Sequence, residues 1–468
     1  MNNEIQKIQF SLLCFFALLF IFLNTFLNME GILTSLALLS LFILIFIFIF
    51  NPKIGLLVLI ILRVGLDYFR DWDIFIVKDY FILNLGAILG IFILALTLIW
   101  IITKREEIFK TPNFLIIFLF LFISLASILS SQYQFTSLKE WIRIASFFAI
   151  YFLTFYLIKS KNDLQLVQKT FLVSAIIPCF MGLWQIITKT GLSDESSFLR
   201  IYGNFTQPNV FSYFLVIILT LLIYFFITVN NQKIKKIYLL FIILNFILLI
   251  LTYSRGAWLA FSTILLLLGV LKYRKLLLKS LVIIFLSVVL ILSINWFIPK
   301  DYNSSSILNF NPSRRITESF SLKQNSSISW RIELWGQMLN VFWEKPILGH
   351  GIGSFEKESF RKRGFYTGSY EAHNDYLRLA IELGLVGLTI YILLILIILK
   401  NIIKIYKNLY DEDLKIFCLC FLCLFVSLFL ASFIENILRN TIIQWLFWSW
   451  AALVFKSQKI EQKLYMAK

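Results

Sequence analysis

The stretch Phe211-Ser-Tyr-Phe-Leu-Val-Ile-Ile-Leu-Thr-Leu-Leu-Ile-Tyr-Phe-Phe-Ile-Thr-Val229 carries no charged side chain. Wound as an α-helix it reaches roughly 28 Å, close to the thickness of the hydrocarbon layer of a bilayer. Comparable apolar runs recur along the chain, about fourteen in all. They begin with Ile8 to Asn28 and include a short one at Ile54 to Leu66, then Tyr80 to Ile102, Leu281 to Phe297 and Tyr376 to Leu399. The first lacks a small-residue cleavage site and leads into a second run, so it reads as a retained helix. The 468 residues are 60% hydrophobic and 15% charged, with mean hydropathy +0.85, which excludes an ordinary soluble domain. The expected fold is an all-α polytopic membrane protein of about 12–14 transmembrane helices with one long polar loop.

That loop runs from Pro299 to Glu371 and brackets the two histidines, containing His350 and ending just before His373. The chain therefore divides into a membrane bundle (1–298), an extracytoplasmic loop (299–371), and a closing set of spans with a tail (372–468). The net charge of +17 does not point to nucleic acid, because the cations flank spans. Lys104 with Arg105, Lys159 with Lys161, Lys233 to Lys236, Lys272 to Lys275 and Lys400 to Lys415 fall on alternate connections. The positive-inside pattern then places both termini in the cytoplasm and the long loop outside the cytoplasmic membrane.

On the other side arginine replaces lysine: Arg70, Arg143, Arg200, Arg255, Arg331, Arg378 and Arg439 are among its cations. A guanidinium grips phosphate or carboxylate oxygens with two parallel hydrogen bonds, whereas an ammonium is a point charge. The pattern suggests an outer-face oxyanion site, although any single arginine could equally be an interfacial anchor or a salt-bridge partner. Two short connections narrow the choice. One is Leu199-Arg-Ile-Tyr-Gly-Asn-Phe-Thr-Gln-Pro-Asn209, which carries Arg200, Tyr202 and Asn209. The other is Thr252-Tyr-Ser-Arg-Gly-Ala-Trp258, a turn that fixes Ser254 and Arg255 at the membrane boundary.

Inside the loop, Ile332, Trp335, Leu339 and Phe342 recur at helical spacing over Ser326 to Phe342, the mark of an amphipathic helix on a membrane. A glycine-rich turn, Gly349-His-Gly-Ile-Gly353, follows and permits close backbone approach. His373 precedes an apolar helix for which Asn374 or Asp375 can serve as N-cap. A helix amino terminus favours a neutral imidazole beside it, suited to act as a general base, while a loop-capping role is the structural alternative. His350, embedded in the turn, reads as structural. Cys14, Cys179, Cys418, Cys420 and Cys423 all fall in apolar spans and read as core thiols rather than metal ligands.

Taken together, Arg200 with Gly203 and Pro208-Asn209, Ser254-Arg255-Gly256, Arg331 and Trp335, Gly349-x-Gly351, and His373-Asn374 with Glu382-x-Gly384 resemble the O-antigen ligase and polymerase superfamily of bacterial membrane glycosyltransferases. The resemblance covers about Arg200 to Gly387 and little beyond hydropathy before that. It implies a bacterial inner-membrane enzyme that uses an undecaprenyl-pyrophosphate-linked glycan as donor and a lipid or glycan hydroxyl as acceptor. On that reading Arg200, Arg255 and Arg331 bind pyrophosphate, and His373 is the base. Tyr202, Asn209, Ser254 and Arg378 are further substrate contacts. No acidic cluster suited to magnesium accompanies the motifs, so neither metal nor other cofactor is expected. Ser212 stands where the family often has a small residue, and the span count exceeds the usual twelve or so. Ligase, polymerase and protein O-oligosaccharyltransferase share this chemistry, so the sequence leaves the acceptor open. A transporter would call for ionisable groups at the midplane and paired broken helices; Arg63 is the clearest charge within a span, and no repeat is evident.

Overall fold

The computed structural model describes residues 32–69, 73–77, 81–103, 108–193, 199–275, 329–364 and 369–466. The apolar runs at Ile8 to Asn28 and Leu281 to Phe297 lie outside the described residues, as do residues 299–328 of the polar loop. Helices dominate: α1 (Ile32–Phe50), α2 (Pro52–Gly65), α3 (Leu85–Thr103), α4 (Phe114–Ser130), α5 (Gln134–Leu157), α6 (Lys161–Ser174), α7 (Ile176–Thr188) and α8 (Pro208–Thr228). They continue as α9 (Gln232–Leu251), α10 (Arg255–Leu271), α11 (Ser329–Glu344), α12 (Phe355–Arg363), α13 (Asp375–Asn408), α14 (Glu412–Ala431) and α15 (Thr441–Met466). Among the described residues seven helical segments are long and apolar enough to cross a membrane, α6 and α7 counting as one, and α4 and α10 are shorter apolar helices. The protein is a multi-pass membrane protein of the all-α class.

The helix boundaries follow local chemistry. Ser160 and Asp163 form a reciprocal capping box at the start of α6. Asn51, Asn231 and Asp411 accept backbone N–H groups at the starts of α2, α9 and α14, and Pro52 and Pro208 occupy first-turn positions that need no N–H. One expected span is shortened. Within Tyr80 to Ile102, Phe81–Asn84 is a strand paired antiparallel with Asp73–Val77, and the helix starts only at Leu85. Phe, Ile and Leu suit a strand as well as a span, so hydropathy alone could not separate the two.

Successive helices alternate in direction, which creates two ends. At one end lysines meet acids: Lys53 with Asp163 at 2.6 Å, Lys161 with Asp411 at 2.6 Å, and Lys272 with Glu412 at 2.7 Å. At the other end lie the 199–209, 252–255, 329–374 and 432–440 connections. Helices α5, α8, α14 and α15 form the interior, whereas α3 and α9 are peripheral and turn most of their surface outward. The buried indoles of Trp445 and Trp448 donate to Ser146 Oγ and Gln444 Oε1, both at 3.0 Å. Arg63, the charge within a span, is buried against Asp67 at 2.9 Å. Cys418, Cys420 and Cys423 are free, buried thiols of α14.

Helix α13 is broken at Gly384, whose φ of 64° and ψ of −168° lie in a region that glycine alone occupies readily. The break leaves backbone groups without partners at membrane depth, where each would be costly. The glycine-rich turn supplies them. His350 N donates to Ile381 O (2.9 Å) and Gly351 N to Glu382 O (2.8 Å), while Leu385 N donates to Pro346 O (2.8 Å) and Val386 N to Ile347 O (3.3 Å). Space at the joint is nil: a Cβ on Gly384 would sit 2.2 Å from Ile347 O, and one on Gly349 would sit 2.5 Å from Glu382 O. The two glycine motifs are thus two halves of one joint between loop and span.

Beyond this joint the loop builds a small core of its own. Leu334, Met338, Val341 and Phe342 of α11 bury one stripe against Phe355, Ala372 and Ile381. His350 Nε2 lies 2.9 Å from Val341 O and Nδ1 lies 3.6 Å from Glu358 Oε1, so this histidine ties α11 to α12. Arg361 donates to Glu358 (2.6 Å) and Glu344 (2.5 Å), and the Glu358 carboxylate above all holds its guanidinium above the usual range. The opposite stripe of α11, with Ile332, Leu339 and Trp343, is exposed, as expected of a helix resting on a lipid surface.

Candidate functional site

A cavity of about 560 Å³ opens at the end of the bundle that carries the loop. Its walls come from the starts of α3, α5, α8 and α13, from the segment around Gly353 and Phe355, and from the connection between α14 and α15. Such a site needs no single element to be special. Helix ends converge there because every second connection returns to the same side.

His373 stands in this wall. Asn374 caps α13 by accepting Leu377 N at 3.0 Å, and the cap leaves His373 just outside the helix with φ of 45°. The imidazole is held edge-on to Trp330, ring centroids 5.4 Å apart. Its Nδ1 makes no hydrogen bond and lies 3.5 Å from Glu435 Oε2. Glu435 also accepts from Asn209 Nδ2 at 3.1 Å, and Arg331 Nη2 is 3.8 Å from its Oε1. One carboxylate therefore gathers three residues that the sequence had placed in three different segments.

Arg200 joins the cluster through Asn209. Its Nη2 donates to Asn209 Oδ1 (2.7 Å), and its Nε donates to Thr252 O (2.9 Å), which braces the turn bearing Ser254 and Arg255. Tyr202 is held by its backbone, since Gln185 Oε1 accepts from both Tyr202 N and Gly203 N at 2.9 Å. Ser254 precedes α10 but makes no side-chain cap bond, and its hydroxyl is buried. Of the eight residues singled out in the sequence, His373, Asn209 and Arg378 line the cavity. Arg200, Arg331, Tyr202, Ser254 and Arg255 are not among its lining residues; Arg200 and Arg331 stand behind Asn209 and Glu435.

The cavity arginines already face carboxylates. Arg143 forks onto Glu140, with Nε to Oε2 at 2.8 Å, and donates Nη1 to Leu438 O at 2.7 Å. Arg378 is buried, with Nη2 3.4 Å from Glu140 Oε1 and Nε 3.9 Å from Glu382 Oε2, and neither nitrogen makes a hydrogen bond. Arg439 meets Glu356 and Glu371, joining the loop to the α14–α15 connection. The arrangement keeps strong cations at a water-accessible surface while cancelling most of their charge until a competing anion arrives.

Glu435 is the residue that sequence reasoning passed over. The signal was present: Glu435-Asn-Ile-Leu-Arg-Asn440 is a polar break between two spans, with an acid in a chain of net charge +17. Its partners, however, come from as far as 226 residues away, which no local pattern encodes.

Residues 240–392 match the model of the family described as O-antigen ligase, about a third of the chain. The matched segment contains Ser254, Arg255, Arg331, His373, Arg378 and both halves of the glycine joint. An uncharacterized protein of Haemophilus influenzae is 29% identical over 187 residues, 36% of this chain and 43% of that protein. A Rickettsia conorii protein named "Putative polysaccharide ligase" is 28% identical over 102 residues, 20% of this chain and 24% of that one. The chain thus spans less than half the length of these curated relatives.

Proposed function

We propose that this protein is a glycosyltransferase of the O-antigen ligase type, working at the outer face of a bacterial inner membrane. It moves a glycan from undecaprenyl pyrophosphate to a hydroxyl of a surface acceptor such as lipid A core. The observation that carries the reading is the His373–Glu435 pair set in the wall of an arginine-lined cavity. The family match over residues 240–392 supports a glycosyltransferase of the ligase and polymerase kind.

In the reaction, the acceptor hydroxyl gives its proton to His373 Nε2 as its oxygen bonds to the anomeric carbon. The bond from that carbon to the pyrophosphate oxygen breaks, and the electron pair leaves with the lipid diphosphate. Glu435, facing Nδ1, orients the ring and stabilises the imidazolium that forms. The departing diphosphate carries charge that guanidinium groups stabilise well in a water-poor site. Arg331 and Arg200 act through Glu435 and Asn209, while Arg255, Ser254 and Tyr202 shape the adjoining turns.

Purified protein in nanodiscs, given undecaprenyl-pyrophosphate glycan and lipid A core with a chelator present, is expected to yield the glycosylated core as product. A strict divalent-ion requirement would overturn the arginine-centred chemistry. Extension of one carrier-linked repeat by another would make the protein a polymerase. Solute flux in the absence of any glycan transfer would make it a transporter.

A further inference from the structure

One wall of the cavity is α3, a peripheral helix whose Leu98, Ile99 and Ile102 are exposed. Along α3 the lining residues are Gly86, Ala87, Gly90 and Ile91, and Ile91 is itself 40% exposed. A Cβ on Gly90 would have nothing nearer than Ser146 Cβ at 4.0 Å, which means that the glycine leaves unfilled room between α3 and α5. Facing it, α5 presents Phe135, Lys139, Ile142, Arg143 and Ser146 at helical spacing. One side of the gap is thus small and apolar, and the other carries two cations, Lys139 and Arg143, the second of them paired with Glu140. Deeper in, buried Arg378 also lines the cavity, its Nη2 and Nε facing Glu140 and Glu382 without hydrogen bonds.

A ligand fitted to this gap must be anionic at one end and dissolved in the membrane at the other. We infer that the cleft between α3 and α5 is the port for a lipid diphosphate: its phosphates meet Lys139 and Arg143, and its first isoprenoid units lie in the room left by Gly90. The inference rests on the transferase reading for its ligand and goes beyond it in assigning entry and anion contact to residues outside the family-matched segment.

The test measures affinity for undecaprenyl pyrophosphate by native mass spectrometry, and donor KM and kcat, for wild type, Gly90→Leu and Lys139→Gln. Leucine favours helix over glycine, and a Cβ at position 90 meets no tight neighbour; Lys139→Gln, which adds no bulk, keeps the test independent of packing at that site. Each variant is expected to weaken carrier binding and raise donor KM about tenfold or more, with kcat within about twofold, since a charge-assisted contact or a filled site acts on binding. A donor bearing a short prenyl chain should be spared by Gly90→Leu. Wild-type affinity in both variants would overturn the port. Loss of binding in the variants of a protein that transfers nothing would keep the port and overturn the transferase reading. Competition by phosphatidylglycerol as strong as by the diphosphate would replace the assignment with a general anionic-lipid slot.

Discussion

Protein carrying His373→Asn is expected to bind donor normally and to turn it over about 10²- to 10⁴-fold more slowly, the usual cost of removing a positioned base. Asparagine is the informative choice because residue 373 has a φ of 45°, which asparagine tolerates and alanine does not. A loss seen with asparagine is therefore chemical and not a strained backbone. The companion Glu435→Gln should reduce kcat less than the histidine change does, because it removes orientation and charge from Nδ1 but leaves the base in place. Full turnover by a folded His373→Asn protein would sink the assignment. Turnover lost equally from binding and chemistry would instead mark His373 as a loop strut.

The second large effect lies in the glycine joint. Gly384→Ala should destabilise the protein by on the order of 4 kcal/mol, among the largest single-residue effects. Part of this is the backbone region itself, worth about 1–3 kcal/mol. The rest is the overlap with Ile347 O at 2.2 Å, which can be relieved only by breaking the hydrogen bonds that join residues 346–351 to 381–386. Folded yield by fluorescence-detected size exclusion and the thermal midpoint of purified protein measure it. Gly336→Ala is the control: nothing lies within 4 Å of a Cβ there, and it should be nearly silent or slightly stabilising. Equal behaviour of the two variants would show that the joint is slack.

Hydropathy is local, so the spans were legible residue by residue; Phe211 to Val229 became Pro208–Thr228, and Tyr376 to Leu399 became Asp375–Asn408. The hairpin at residues 73–84 was not, because its apolar strand is indistinguishable from the first turns of a span until its partner is known. Around the candidate site, the sequence marked Arg200, Asn209, Arg331 and His373 separately, and their linkage through Glu435 is a tertiary fact. In the sequence, the arginine-rich outer side demands an anionic partner. For Arg143, Arg331, Arg378 and Arg439 the nearest anions are the protein's own glutamates. A sequence reports the sign of a charge but not whether a neighbour has already answered it.

The seven buried residues of the loop core are separate from the main apolar core of the bundle, and Ala372, the neighbour of His373, belongs to the smaller of the two. Regions with few buried contacts open at lower free energy than the body that carries them. Warmed gradually, the protein would accordingly fall silent while its membrane helices were still assembled, and cooling would restore it. Its inactivation temperature and its melting temperature are two different quantities, set by two different cores.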